Sequence, residues 1–414
     1  MSIPAGIVCW DYPEQTVPER ICAPVGHPAA IMRLEGVMRA LGIVRTLEDD
    51  LNRETSFPIG AFHGSIEENE IPDPAFDPGD DKFRHAVLVR IMAFSCNFRD
   101  IAVIHRFLRS DTKNPFILFG SDFVGTVTAV GKDVERLEAG DTVIEDNSYP
   151  VAAGPHASPG VPSNHVSCEY IVLASSKLTR IPKDFPLHQA AAFSLNAQTV
   201  QSMIRRLDLA PRSDVLITAG RSNVAIFTLR ELARLGHSCT VLTTSTKTAD
   251  RILDLGARDV VIVEHVEESE TSEEYGRILA GGGQSGYAAV IDPFSDIYLH
   301  RVLKFLRTGG KYITCGIANQ IPGASGETAI TGPHALQQIQ GIAIVNNLEI
   351  YGNCLGSPED LQRAIASCRS RTDPVIMDSV FHEGREVDFF RRTFFDKDRF
   401  GKVVFDLAPI ENRP

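Results

Sequence analysis

A turn of mostly small residues, Ala219-Gly220-Arg221-Ser222-Asn223-Val224-Ala225, separates the apolar run Asp214 to Gly220 from the amphipathic stretch Asn223 to Gly236. At a strand-to-helix turn the first helical N–H groups lack internal acceptors, so a compact backbone there can hold a pyrophosphate. Ala219, Ser222 and Ala225 each bring a Cβ into that space, and Asn223 tolerates left-handed backbone. Arg221 either offsets a phosphate charge or points to solvent. The next apolar run ends in Thr243-Thr244-Ser245-Thr246-Lys247, with Arg251 one turn on. Asp or Glu there would bond ribose hydroxyls, whereas Ser, Lys and Arg suit a 2′-phosphate. The pattern predicts NADPH over NADH, while Lys247 and Arg251 also fit an ordinary exposed helix start. Asp292-Pro293 and Cys315-Gly316 close two further apolar runs. Ligands of open α/β sheets bind beyond such carboxyl ends, so these residues are candidates for nicotinamide and ribose contacts or plain strand-end turns.

These residues sit in an alternation of strands and helices that begins near Leu195. Cys239 to Ser245, Asp259 to Glu264, Tyr287 to Pro293 and Lys311 to Gly316 read as buried strands. Asn223 to Gly236, Ala249 to Gly256 and Tyr298 to Gly309 read as the helices between them, which predicts a parallel, doubly wound α/β domain. Before it, His85 to Ser95, Phe123 to Lys132 and Asp141 to Glu145 are short β-rich runs, with Gly125, Gly131 and Gly140 at turns or close strand contacts. They predict a small antiparallel, barrel-like domain. Tyr149 to His165 reads as a surface loop. Asn347 to Cys354 reads as a strand, Ser357 as the cap of a helix reaching Cys368, and Gly401 to Leu407 as a closing strand. Residues 2–82 show little periodicity and read as loops with one helix across Ala30 to Ile43, whose apolar residues recur at three and four.

The 414 residues are 43% hydrophobic and 23% charged, the balance of a globular protein rather than a disordered or fibrous one. Against 53 acidic residues stand 41 Lys and Arg, and the formal charge of -12 repels nucleic acid and anionic lipid. The eight cysteines are scattered without a C-x-x-C pair, which reads as reduced thiols in a cytoplasmic protein. No apolar run approaches the roughly 20 residues that cross a bilayer.

The order of domains resembles the medium-chain dehydrogenase/reductase superfamily. Cys96-Asn97-Phe98-Arg99-Asp100 is similar to a segment of polyketide-synthase enoyl reductase domains. Phe119 to Glu145 is similar to the glycine-spaced core of zinc-free members, including crotonyl-CoA reductase-like and quinone oxidoreductase-like proteins. Asn353 to Ala366 and Phe400 to Phe405 match the closing segments. The resemblance implies a GroES-like β-rich barrel plus a Rossmann domain: an N-terminal extension with the first strands (1–84), the catalytic domain (85–197), the dinucleotide-binding domain (198–345) and a return to the catalytic domain (346–414).

In zinc-dependent relatives a catalytic metal is held by Cys, His and Cys beside a Glu. Those positions fall here on Asn97, Ser121, Leu195 or Asn196, and Asp122, so the resemblance implies no zinc. A proton-donating Tyr of some relatives falls on Leu108. The implied catalytic set is therefore Asn97 as donor to a carbonyl oxygen, Asp100, Asp122 and the nearby titratable His105. His105 also fits a surface-loop histidine, and water is an alternative proton source. Thr199 and Lys402 complete the implied cofactor contacts.

Without a Lewis acid, reduction of an activated C=C bond is easier than alcohol oxidation, because a conjugated carbonyl spreads the developing charge. The implied activity is NADPH-dependent reduction of an enoyl thioester or enone by a stand-alone biosynthetic homodimer, acting on a small molecule that is free or linked to a carrier or CoA. A quinone or ketone reductase of the same fold, and a scaffold retired from redox catalysis, are the two alternatives.

Overall fold

The computed structural model describes residues 36–47, 52, 54–148, 165–263, 272–319, 333–368 and 373–407. The α/β half contains a six-stranded parallel sheet in the order Asp259–Ile262, Ser238–Thr243, Asp214–Ile217, Tyr287–Asp292, Leu306–Thr314, Glu349–Gly352. Successive side chains of a strand face opposite sides of the sheet. Val215 and Ile217 accordingly join one apolar cluster with Ile226 and Leu229 of the helix Asn223–Arg234. Leu216 joins the opposite cluster with Val290, Tyr298 and Tyr312. Both faces are thus covered, as a parallel sheet requires.

Two boundaries differ from the sequence expectation. The helix expected over Tyr298 to Gly309 occupies Ser295–Val302, and the next strand begins at Leu306. Leu306 pairs with Tyr287, and Gly309 has φ +70°, so the chain there is already committed to the sheet. Glu349–Gly352 is the edge strand of the parallel sheet, so the return to the catalytic domain begins after Gly352 rather than at 346.

The β-rich half has a second sheet in the order Met377–Phe381, Lys402–Asp406, Ala86–Ser95, Asp122–Val130, Thr142–Glu145, Leu178–Arg180, with Tyr170–Ala174 also paired to Ala86–Ser95. Gly131 is required by packing, since a Cβ there would lie 1.9 Å from the Phe83 carbonyl oxygen. Gly140 is required by its φ of +91°.

Val37–Thr46 is a strand, which corrects the helix expected across Ala30 to Ile43; residues 30–35 lie outside the described residues. It pairs antiparallel with Phe62–Pro72 and with Phe116–Leu118, while Ser56–Ile59 borders Phe62–Pro72. The described residues between 37 and 72 are therefore mainly sheet where loops were expected. Apolar spacing over so short a run is ambiguous, and the pairing edges decided the outcome. Of the loop expected over Tyr149 to His165, positions 149–164 lie outside the described residues. The cap expected at Ser357 forms: the Ser357 N–H donates to Asp360 Oδ2 at 2.8 Å, and the Asp360 N–H to Ser357 Oγ at 3.3 Å.

Candidate active site

The end of strand Ala86–Ser95, the start of strand Asp122–Val130, the start of helix Ser194–Leu207 and the start of strand Lys402–Asp406 converge on one buried polar cluster. Strand Lys402–Asp406 runs antiparallel to Ala86–Ser95 with Val404 opposite Ser95, which brings Lys402 beside Asn97. Lys402 Nζ donates to Asp122 Oδ2 at 2.8 Å, to Asn97 Oδ1 at 3.0 Å and to the Cys96 carbonyl at 3.4 Å. All three ammonium hydrogens are thereby used and none is left for a phosphate. This corrects the cofactor contact expected of Lys402.

Asn97 Nδ2 donates to Asp122 Oδ2 at 2.7 Å and to Ser121 Oγ at 3.0 Å. Both amide hydrogens are committed inside the protein, which corrects the expectation that Asn97 donates to a substrate carbonyl. Asn97 also caps the helix Phe98–Arg109, with its N–H donating to Asp100 Oδ2 at 2.7 Å. Asp100 further accepts from Ser121 Oγ at 2.5 Å, so its carboxylate orients the helix start. Asn196 Nδ2 donates to Asn97 Oδ1 at 2.8 Å.

The carboxylates Asp122 and Glu145 divide one charge. Burial by itself would raise Asp122, but the Lys402 charge and hydrogen bonds from Glu145, Lys402 and Asn97 hold it below the usual carboxylate range. Burial and the neighbouring Asp122 charge push Glu145 well above that range. The charged form is thus favoured at Asp122 and the protonated form at Glu145. Ser194 Oγ bonds Glu145 Oε1 and donates to Asp122 Oδ1 at 3.3 Å, and the Leu195 N–H donates to the same oxygen at 2.9 Å. The sequence reading missed Glu145 and Ser194. The available signal was an acidic residue ending the otherwise apolar strand Thr142–Glu145.

Zinc does not fit this cluster. Its side chains are the amides of Asn97 and Asn196, the hydroxyls of Ser121 and Ser194 and the carboxyls of Asp100, Asp122 and Glu145, each tied to the others or to the fixed Lys402 ammonium, with no thiolate or imidazole of the kind tetrahedral zinc takes. Among the described residues no group of three or more His, Cys, Asp or Glu could hold a metal ion.

His105 is buried in the helix Phe98–Arg109 rather than in a loop, edge-on to Phe62 at 5.7 Å. Burial, then Arg109, lowers its pKa, which favours the neutral imidazole. It stands eight positions along that helix from Asn97, about 12 Å of rise.

At the turn, Ala219 rather than Asn223 adopts the left-handed backbone, with φ +49°. Asn223 is the first helical residue, and Ser222 caps the helix by accepting from the Ala225 N–H at 3.1 Å. The three side chains that replace hydrogens find places of their own. Ala219 packs with the cluster of Leu216 and Val290, Ala225 is buried with Val215, and the Ser222 oxygen is turned to its cap. Gly220 crosses the adjacent strand so closely that a Cβ would meet Val241 Cγ1 at 2.6 Å. The first-turn N–H groups of Asn223 and Val224 have no intrahelical acceptor. The turn thus keeps first-turn donors of the kind a diphosphate would need.

The segment 397–401 crosses in front of this turn. Arg221 bonds the Lys397 carbonyl and Thr244 Oγ1, the latter at 3.2 Å. Lys247 pairs with Asp398 at 3.2 Å, and the Arg251 guanidinium lies 4.2 Å from the Phe400 ring centre. Ser245 donates its N–H to Thr243 Oγ1 at 3.4 Å. Asp292 is fully buried, accepting from Thr218 Oγ1 at 2.6 Å and Tyr312 OH at 2.5 Å, so it braces the strand ends beneath the cleft. Burial raises its pKa. Pro293 and Gly316 meet closely, and Ser295 N–H donates to the Gly316 carbonyl at 3.1 Å. Burial pushes the Cys315 thiol up to about 12, which disfavours the thiolate. Thr199 spends its hydroxyl on the Leu195 carbonyl at 2.7 Å. Phe98 and Phe294 meet across the two halves at 5.6 Å, edge to face.

The β-rich half with its buried polar cluster and the parallel sheet with its strand-turn-helix form a two-part fold whose halves meet at Phe98 and Phe294. Residues 84–183 match the alcohol dehydrogenase GroES-like domain. A zinc-type alcohol dehydrogenase-like protein of Schizosaccharomyces pombe is 24% identical over 82% of this chain and 94% of its own length. Acryloyl-coenzyme A reductase of Sulfurisphaera tokodaii is 24% identical over 81% of this chain and 94% of its own. The lovC enoyl reductase component of lovastatin nonaketide synthase from Aspergillus terreus is 28% identical over 43% of this chain, which spans 49% of that relative's length. A solved crotonyl-CoA carboxylase/reductase superposes with a TM-score of 0.67 at 18% identity, covering 92% of this chain and 90% of that one. Residues 84–183 thus carry a GroES-like domain, and the chain is similar along most of its length to medium-chain dehydrogenases and reductases.

Proposed function

We propose that the protein is a zinc-independent, NADPH-dependent reductase of an activated C=C bond in an enoyl thioester or enone, acting as a separate biosynthetic enzyme in the cytoplasm. The observation that carries this reading is the cluster around Lys402, a set of hydrogen-bonding groups with a fixed internal cation and no metal-type donor set. Such a site offers an alcohol no Lewis acid, which favours reduction of a conjugated C=C bond, whose carbonyl spreads the developing charge. The similarity to acryloyl-coenzyme A reductase and lovC supports the same substrate class.

The first turn of helix Asn223–Arg234 would hold the cofactor diphosphate, and Arg221, Ser245, Lys247 and Arg251 would surround a 2′-phosphate. When bound, the dinucleotide supplies a hydride, two electrons and one hydrogen, to the β-carbon, and water returns one proton to the α-carbon. The protein contributes orientation, with Phe98 and Phe294 covering one side of a planar conjugated acyl group. The test is NADPH consumption against a panel of enoyl thioesters, enones, quinones and ketones. Turnover of the conjugated carbonyl compounds is expected, and a profile confined to quinones or ketones would defeat the proposal.

We also propose a homodimer joined along the edge strand Glu349–Gly352, where Ile350 is 43% exposed and nearby Ile344 and Val345 are 76% and 78% exposed. Sedimentation should give twice the chain mass, and Ile350→Lys should give single chains. Among the described residues no helix is long and apolar enough to cross a membrane.

A further inference from the structure

The cluster can be audited hydrogen by hydrogen. Lys402 has three and uses three; Asn97 Nδ2 has two and uses two. Ser121 gives its one to Asp100, and Ser194 sits between Glu145 and Asp122. Asn196 differs: Nδ2 gives one hydrogen to Asn97 Oδ1 at 2.8 Å, and the second has no acceptor among the described residues. Asn196 is only 2% exposed, so water scarcely compensates it. A buried donor left unpaired is costly, and a ligand oxygen would remove that cost.

The amide orientation is forced. An ammonium cannot accept, so the atom of Asn97 facing Lys402 must be oxygen, and an ionised Asp122 cannot donate, so the atom facing it must be nitrogen. With Asn97 oxygen fixed, the atom of Asn196 facing it must be nitrogen. Lys402 and Asp122 thus set the direction of Asn196 through Asn97. Asn196 also stands in the first turn of the helix Ser194–Leu207, where the helix dipole favours negative charge.

We propose that Asn196 is the catalytic donor that receives the substrate carbonyl oxygen, with Asn97 and Lys402 as its positioning residues. This rests on the reductase reading and names its missing group. As hydride reaches the β-carbon, the electron pair of the C=C bond shifts onto the carbonyl oxygen, and the second Asn196 N–H is placed to steady that charge until the α-carbon takes a proton.

Asn196→Ala keeps the Asn97 contacts with Lys402, Asp122 and Ser121, while Asn196→Asp keeps the shape and removes the donor. Both should lower kcat on an enone or enoyl thioester about 10²-fold or more, the usual effect of losing one such donor, with NADPH affinity within two-fold of the wild type. A second measurement is the infrared carbonyl stretch of a bound saturated thioester carrying carbon-13 at the carbonyl. It should lie lower in the wild type than in Asn196→Ala. Wild-type turnover with variants within two-fold of it, or an unchanged stretch, would overturn the assignment of Asn196 alone. A wild type that binds NADPH yet reduces no conjugated carbonyl compound would overturn the reductase reading and the assignment together.

Discussion

Lys402 and Asp122 form an ion pair at 2.8 Å whose side chains are 1% and 0% exposed. Taking two charges out of water is expensive, and the pair persists because Asn97, Leu195 and Cys96 occupy the remaining donors and acceptors.

Removing one partner should therefore cost more than removing both. Lys402→Met leaves a buried carboxylate uncompensated and should lower unfolding stability by about 3–5 kcal/mol. Adding Asp122→Asn to it should recover most of that loss. Urea denaturation checks both, and a single variant within about 1 kcal/mol of the wild type would refute the account.

Glu145 gives a pH dependence of definite sign. Its folded pKa is raised by burial and by Asp122, so its neutral form adds stability below the ordinary value of 4.5 and that stability is lost as pH rises towards the folded pKa. Glu145→Gln stays neutral and keeps an acceptor for the Phe123 N–H. The variant should match the wild type near pH 4 and exceed it increasingly at higher pH, by up to about 1.4 kcal/mol per pH unit between the two pKa values. Parallel urea midpoints from pH 4 to 8 would contradict this.

Ala219 holds a left-handed backbone that a Cβ disfavours. Ala219→Gly should raise stability by up to about 1 kcal/mol, because relief of strain outweighs the added freedom of the unfolded chain. A fall of the thermal midpoint would show that the Ala219 methyl contact with its apolar cluster matters more.

Asp398 competes for the cation that would meet a 2′-phosphate. Asp398→Asn should tighten NADPH by up to about five-fold at low salt, since exposed pairs contribute no more than about 1 kcal/mol. NADH binding should not change, and the gain should shrink as salt is raised. Equal effects on both nucleotides in fluorescence titrations would place the phosphate elsewhere.

Local signals sufficed where an element depends on its own residues. The parallel strands read as continuous apolar runs, Ser357 caps its helix with Asp360, and Gly131 and Gly140 mark turns that reject a Cβ. The same local reading failed for Val37–Thr46, because neighbouring strands, not residue spacing, decide between helix and sheet in a short apolar stretch.

The sequence by itself carried the succession of β-rich and α/β runs, the strand-turn-helix at Gly220, and an amide and a hydroxyl rather than a thiolate and an imidazole at Asn97 and Ser121. Only tertiary structure decided the chemistry of the site. Lys402 lies 305 positions from Asn97 and 280 from Asp122, and antiparallel pairing of the final strand brings them together. Hydrogen-bond commitments between groups so far apart in the chain have no local sequence signal. They follow from burial, which forces each ammonium, amide and carboxylate to find a partner inside the fold.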